Sequence, residues 1–212
     1  VQSNGHIRKY VRREVVVFRV TTGEFGGLSN MAPGFPVEIS DIRIPTIEAL
    51  YQACRYPDFP LYQAEILDQP SPMTAKMKSK KYRDHTRSDW DRKRVSIMKW
   101  CLRLKLAQNW TRFGSILLRT DTKSIVEESK RDDFWGAKPK EDGTLVGMNV
   151  LGRLLMELRE QLQSENSESL KSVFPPVNVS NFRLLDRPIG AFEFRSELPH
   201  EAPPTQPSIF NH

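Results

Sequence analysis

The apolar positions of this chain recur with two periods, and those periods predict its elements. Val15-Val16-Val17-Phe18-Arg19-Val20 is short, β-branched and bounded by Thr21–Gly23, which predicts a strand. Gly26-Gly27 and Pro33-Gly34 punctuate the loop that follows. Val37, Ile39, Ile42 and Ile44 flank Ser40-Asp41, the pattern of a small hairpin. Thr46 reads as a helix N-cap, with Glu48 in the first turn, where its charge meets the helix dipole favourably. Ser71 and Pro72 repeat that logic as cap and first helical residue. Val95, Met98, Leu102 and Leu106 recur at three- and four-residue steps, with Lys99, Arg103 and Lys105 elsewhere around the circumference. Leu151, Leu154, Leu155, Leu158 and Leu162 form a second core stripe, opened by Asn149 as the expected cap. A short helix near Trp110–Leu118 and a strand over Ser124–Glu127 lie between the two. Helices outweigh strands, which predicts a mainly helical α+β domain with a few short, dispersed strands.

Composition agrees with one folded unit. The 212 residues suffice to bury a core, and four tryptophans and eleven phenylalanines exclude a disordered chain. No apolar run exceeds Val15–Phe18, so no membrane span is expected, and no charged-then-apolar leader opens the sequence. Cys54 and Cys101 lack C-x-x-C spacing and read as two thiols in a reducing, cytoplasmic setting. His6, His85, His200 and His212 are scattered without ligand spacing, so neither a metal nor a cofactor is expected.

Charge changes the picture. The net charge of +6 is concentrated between Lys76 and Lys105, where twelve basic residues meet only Asp84, Asp89 and Asp91. Such a belt is either a solvated helix face or a surface for a polyanion. After Ser164 the composition shifts, and seven of the fifteen prolines lie beyond it. We read residues 1–163 as the main domain, 164–181 as a linker, 182–200 as an apolar segment that docks on the main body, and 201–212 as disordered. Phe182, Leu184, Leu185, Ile189, Phe192 and Phe194 are too apolar together to remain solvated.

No Walker loop, nucleophile elbow or dinucleotide fingerprint is present. Polar residues instead gather beside aromatics and glycines: Leu28-Ser29-Asn30, Glu48 with Tyr51-Gln52-Ala53, Ser71-Pro72-Met73, Trp90, Lys105, Ile125-Val126-Glu127, Asp133 with Trp135-Gly136, and Asn149 with Leu151-Gly152. The series closes on Leu154-Leu155-Met156-Glu157-Leu158-Arg159. In this order, over residues 15–163, it resembles the NADAR or YbiA-like family. One departure is Ala49, where many relatives carry a histidine after the glutamate.

The resemblance implies cleavage of an N-glycosidic bond between a ribose C1′ and a nitrogen. One branch of the family acts on phosphoribosylated intermediates of riboflavin synthesis. Another removes ADP-ribose from guanine in DNA, as antitoxin to a DarT-type toxin. The Met73–Lys80 wording, the Trp100-Cys101-Leu102-Arg103 run and the apolar tail are more similar to the second branch, and the basic belt suits it. The expected substrate is therefore ADP-ribosylated guanine in DNA, single-stranded or extruded, with a DarT-type toxin as a possible further partner. A module that binds ADP-ribose or neutralises the toxin without catalysis is the alternative from another class.

Breaking a ribosyl–nitrogen bond passes through an oxocarbenium-like state, which needs a carboxylate near C1′ and a proton for the departing base. Glu48 and Asp133 are the candidate carboxylates. Lys105 is a candidate to bind a phosphate or form a Schiff base. For substrate binding the candidates are Gly27, Asn30, Tyr51, Gln52, Trp90, Trp135, Gly136 and Asn149, with Trp135 either a wall of the base pocket or plain core. Asn149 either caps its helix or leaves nearby backbone N–H groups to face a phosphate. Lys76, Lys78, Lys80, Lys81, Arg83 and Arg87 are the candidates for DNA phosphates, expected beside the pocket that holds Glu48 and Asp133.

Overall fold

The computed structural model describes residues 6–194. Strands β1 (Arg8–Val11), β2 (Val16–Phe18), β3 (Val37–Ile39) and β4 (Ile42–Ile44) come first. Five helices follow: α1 (Ile47–Ala53), α2 (Pro60–Leu67), α3 (Pro72–Lys81), α4 (Trp90–Gln108) and α5 (Trp110–Leu118). Strands β5 (Ile125–Glu127), β6 (Lys138–Pro139) and β7 (Thr144–Gly147) lead into α6 (Val150–Gln163). Four two-residue strands close the described chain: β8 (Ser172–Val173), β9 (Arg183–Leu184), β10 (Arg187–Pro188) and β11 (Phe192–Glu193). The fold is α+β and mainly helical. Its strands form one three-stranded sheet, β1-β7-β6, and four separate pairs, of which β2–β5 is parallel.

Local chemistry accounts for these boundaries. Ser40 and Asp41 both take positive φ, 51° and 67°, as a two-residue β3–β4 hairpin turn requires. The Thr46 side chain accepts from the Ala49 N–H, and Ser71 forms a reciprocal capping box with Thr74 ahead of Pro72. From Trp100 to Gln108 helix α4 is buried almost all round, because α1, α5 and α6 pack against it. It is the axis of the core. Asn149 does not cap α6 through its side chain, and its backbone is left-handed, with φ 48°.

Residues 164–181, read as a linker, are folded onto this core. A 3-10 turn over Ser167–Lys171 and strand β8 bury Leu170 and Val173 against α4, and Val179 is buried too. The apolar segment continues the packing. Phe182, Leu184 and Ile189 are buried, and Phe182 meets Trp100 edge-on at 4.7 Å. The remainder of that segment from 195, and the stretch 201–212, lie outside the described residues.

Polar side chains fasten the extension. Fully buried Gln63 donates to the carbonyls of Ala53 (3.2 Å) and Arg183 (3.0 Å), and its oxygen accepts from the Leu185 N–H at 2.7 Å. Replacing it with Leu keeps much of the volume but takes its hydrogen bonds from the buried Ala53 carbonyl and from the partly buried Arg183 carbonyl and Leu185 N–H. Gln63→Leu is expected to destabilise the protein by about 1–3 kcal/mol, the cost of a buried unmet donor or acceptor. It should also speed hydrogen exchange of the Leu185 amide; unchanged exchange and melting would show that the staple holds nothing.

Candidate active site

Glu48 is buried in the first turn of α1, and its placement starts from the backbone. Its N–H donates to the Asn30 carbonyl at 3.0 Å, so the loop after β2 grips the helix start. Its carboxylate accepts from Gln52 Nε2 at 2.9 Å, one turn on, and Lys76 Nζ of α3 lies 3.9 Å away. Gln52 is fixed in turn: its oxygen accepts from Ser79 Oγ at 2.7 Å, and Tyr56 donates its hydroxyl to the Ser79 carbonyl at 2.6 Å. A buried chain of hydrogen bonds thus runs from Tyr56 to the glutamate.

The loop itself is anchored by Lys105. Its ammonium is buried, donates to the carbonyls of Gly27 (2.6 Å) and Ser29 (3.0 Å), and lies over the rings of Phe35 and Phe113. Burial pushes its pKa down to about 7. Two of its three donors are thus committed to the backbone of the loop, which Lys105 holds from beneath. Asn30 faces inward, Nδ2 on Met98 Sδ at 3.1 Å, while its Oδ1 is buried without a partner among the described residues.

A second carboxylate, Glu127 at the end of β5, lies within electrostatic range of Glu48. Burial above all, then the charges of Asp132 and Glu48, pushes Glu127 up to about 7, with Lys76 opposing. Its backbone is held on both sides. The N–H donates to Asn149 Oδ1 (3.1 Å), and the carbonyl accepts from the Ala137 N–H (2.8 Å). Asn149 Nδ2 also reaches the Ile125 carbonyl at 2.8 Å, so this buried amide clamps the strand rather than capping α6. Gly136 and Gly152 permit the close approach: a Cβ there would sit 2.5 Å from the Glu127 oxygen and 2.1 Å from the Ile125 oxygen. The α6 N–H groups of Val150 and Leu151 are taken by the carbonyls of Phe134 and Trp135, so they are not available to a phosphate.

Aromatic rings wall the site. Tyr51 is buried against Trp90 (5.0 Å) and edge-on to Trp135 (5.7 Å). Arg55 lies 4.4 Å over Trp90 and Arg94 3.7 Å over Phe134. The Nε–H groups of both arginines and the Trp90 indole N–H are buried without acceptors among the described residues, so three donors stand unused around these rings. No three of His, Cys, Asp and Glu among the described residues are arranged to hold a metal ion.

With that geometry in hand, comparison with known proteins is decisive. The NADAR domain model matches residues 17–163. This chain belongs to the NADAR family. It is 32% identical over 159 residues to the N-glycosidase YbiA of Escherichia coli strain K12, covering 75% of this chain and 95% of that protein. A riboflavin biosynthesis protein of Vibrio vulnificus is 32% identical over 157 residues, 74% of this chain and 41% of its own length. The NMR structure of E. coli YbiA superposes with a TM-score of 0.60 at 31% identity, over 76% of this chain and 90% of that one. NADAR membership thus covers the part of the chain that carries Glu48, Trp90 and Glu127.

The structure sorts the remaining candidates. Asp133 is exposed, paired with Lys138 at 2.7 Å, which holds its carboxyl below the usual range; it is not the carboxylate that meets Glu48. Its neighbour Asp132 turns inward, accepting from the N–H groups of Phe134 and Trp135. In the basic belt Lys76 reaches the site, Lys78 is paired with Glu65, and Lys80, Lys81 and Arg83 are exposed. Arg87, its side chain only 6% exposed, is held by Asp89 (2.5 Å) and the Ser180 carbonyl (2.7 Å), which turns it away from a DNA surface. No helix of the described residues is long and apolar enough to cross a membrane.

Glu127 was missed as a site residue, although it stands in the quoted Ile125-Val126-Glu127 motif; a carboxylate ending a buried strand was the available signal. Its raised pKa has a signed consequence. The folded state keeps the Glu127 proton longer than the unfolded chain, so this group costs stability as pH climbs from about 4.5 to about 7. Glu127→Gln, which cannot ionise, should gain in melting temperature over the parent at about pH 8 more than at about pH 5. An equal difference at both values would show that Glu127 titrates normally.

Proposed function

We propose that this chain is an N-glycosidase that releases ADP-ribose from guanine in DNA, and so consumes the product of a DarT-type ADP-ribosyltransferase. The observation that carries this reading is the pairing of unlike carboxylates: Glu48 between an amide and an ammonium, and Glu127 with its proton retained near neutral pH. As the C1′–N bond breaks, its electron pair stays on the guanine nitrogen, which takes a proton from Glu127. The Glu48 carboxylate faces the positive charge that develops at C1′. Water then adds to C1′ and returns a proton to the carboxylate pair, which leaves ADP-ribose and guanine.

Charge supports a substrate in DNA over a small one. Lys76 at the carboxylate is followed by Lys80, one turn on along α3, and by Arg83 in the 3-10 turn just beyond that helix, both exposed. A free nucleotide needs one such contact, whereas a lesion in a strand presents phosphates on either side. The second reading, cleavage of a ribosylated pyrimidine on the riboflavin route, is favoured by the kinship to the Vibrio protein.

One experiment separates them. The protein is incubated with an ADP-ribosylated guanine oligonucleotide and with a ribosylaminopyrimidine 5′-phosphate, and release is followed by mass spectrometry across a salt series. The oligonucleotide should be hydrolysed, with activity falling steeply as salt rises. Turnover of the pyrimidine alone would overturn the DNA reading. Glu48→Gln should melt like the parent, lose about a hundredfold or more in rate, and keep substrate affinity; a folded variant that retains its rate would remove Glu48 from the chemistry.

A further inference from the structure

Beyond the carboxylates, the buried hydrogen-bond chain leads outward to a cluster of rings that the site does not use. Tyr56, fully buried, is edge-on to both Tyr62 and Tyr82, at 6.3 and 6.2 Å. Tyr62 and Tyr82 lie parallel, with centroids 3.9 Å apart. Phe59 stacks on Tyr62 at 5.0 Å and 8°, and His85 leans against Phe59 and Tyr62 at 4.9 and 5.4 Å. The stack is anchored in the core and open at its outer end: Phe59, Tyr62 and Tyr82 are half-buried, while His85 is exposed. Packing alone does not require a run of flat rings on the surface between α2 and the end of α3.

Cations flank it. Lys80, Lys81 and Arg83 are exposed and make no ion pair with any described residue, whereas Lys78 and the Tyr82 hydroxyl are both held by Glu65. The cluster also has a fixed relation to the candidate active site. Six residue steps lead along α3 from Lys76, at Glu48, to Tyr82 at the helix C-cap, a rise of about 9 Å. Flat rings beside unpaired cations, one short step from a site that acts on a nucleobase adduct, match the requirements of a single strand: π-faces for bases and positive charge for the backbone.

We propose that the ledge formed by Phe59, Tyr62, Tyr82 and His85 binds single-stranded DNA next to the lesion, stacking a flanking base on its outer rings while Lys80, Lys81 and Arg83 hold the adjoining phosphates. This rests on the reading of the chain as a glycosidase acting on DNA. It assigns the two kinds of contact to different residues, and they differ in how they respond to salt. Phosphate contacts release counterions and set the salt slope; stacking adds affinity without changing it.

The test is binding of a short fluorescein-labelled oligothymidylate by the full chain, read by anisotropy across a salt series, beside hydrolysis of free ADP-ribosylated guanosine. His85→Ala and Phe59→Leu should each weaken binding about tenfold, with the salt slope unchanged. Lys80→Ala with Arg83→Ala should weaken it and lower the slope by about 1.4, two single-strand phosphate contacts. None of these changes should alter turnover of the free nucleoside. Exposed His85 can be removed without unfolding, and Phe59→Leu keeps apolar volume, so melting curves like the parent's are expected for both. Unchanged affinity in these two variants, or no binding of the oligothymidylate by the parent, overturns the ledge. Failure of the parent to hydrolyse both the free nucleoside and an ADP-ribosylated guanine oligonucleotide would instead strike the glycosidase reading, whatever the binding shows.

Discussion

A single buried ammonium group fixes the geometry on which the rest depends. Lys105 is surrounded by protein, and its hydrogen bonds go to the two carbonyls that bracket Leu28. Removing an ammonium from water costs several kcal/mol. Two charge-assisted hydrogen bonds of about 1.5–3 kcal/mol each, with two aromatic faces, offset much of that cost. The near balance means that Lys105 contributes location more than stability. By holding the Gly27 and Ser29 carbonyls it sets the Asn30 carbonyl, which receives the Glu48 N–H. A lysine on the central helix thus determines where a carboxylate on another helix begins.

From that starting point the two glutamates diverge because their surroundings do. Glu48 has an amide donor one turn away and an ammonium from α3. Glu127 ends a short strand clamped by Asn149 and is pressed by two other carboxylates, Asp132 and Glu48. Burial and like charge act together on Glu127, and the opposing Lys76 sits in contact with its neighbour instead. A carboxyl raised by burial, set near a second carboxylate that is held by an amide and an ammonium, offers one site both proton-transfer and electrostatic work. The asymmetry comes from backbone placement. It requires Gly136 and Gly152, where any side chain would displace the strand that carries Glu127.

Much of this was legible in the residues, and the failures share a cause. The β3–β4 hairpin, the Thr46 and Ser71 caps, and helices α4, α5 and α6 were readable because each depends on neighbours within a few residues. Glu48 was recognisable through its motif. Lys105 looked like one cation among many, since periodicity places it off the apolar stripe but cannot show that α4 is enclosed on nearly every side. Asn149 looked like a cap because asparagine before a leucine stripe usually is one; its left-handed backbone turns the amide toward β5 instead. The adjacent pair Asp132-Asp133 could not be ordered by sequence. Which of the two points inward depends on the turn that lets Asp132 bind the next two N–H groups, leaving Asp133 to Lys138.

The C-terminal extension shows the same dependence on long-range contacts. The family match ends at residue 163, yet the core does not. Phe182 rests on Trp100 of α4, Gln63 of α2 holds β9 and the turn that follows it, and Arg87 reaches the Ser180 carbonyl just ahead of the helix that begins with Trp90. Proline and serine content made residues 164–181 resemble a linker, because composition registers the absence of regular structure rather than the absence of packing. The polar side chains that fasten the extension come from the elements that frame the aromatic wall and the ring stack. Arg87 is therefore withdrawn from the charged belt to do structural work. Around the end of α3 that leaves Lys80, Lys81 and Arg83 as the exposed cations without an ion pair to a described residue, leading away from Glu48. The extension thus shapes the electrostatics near the site without contributing a charge to it.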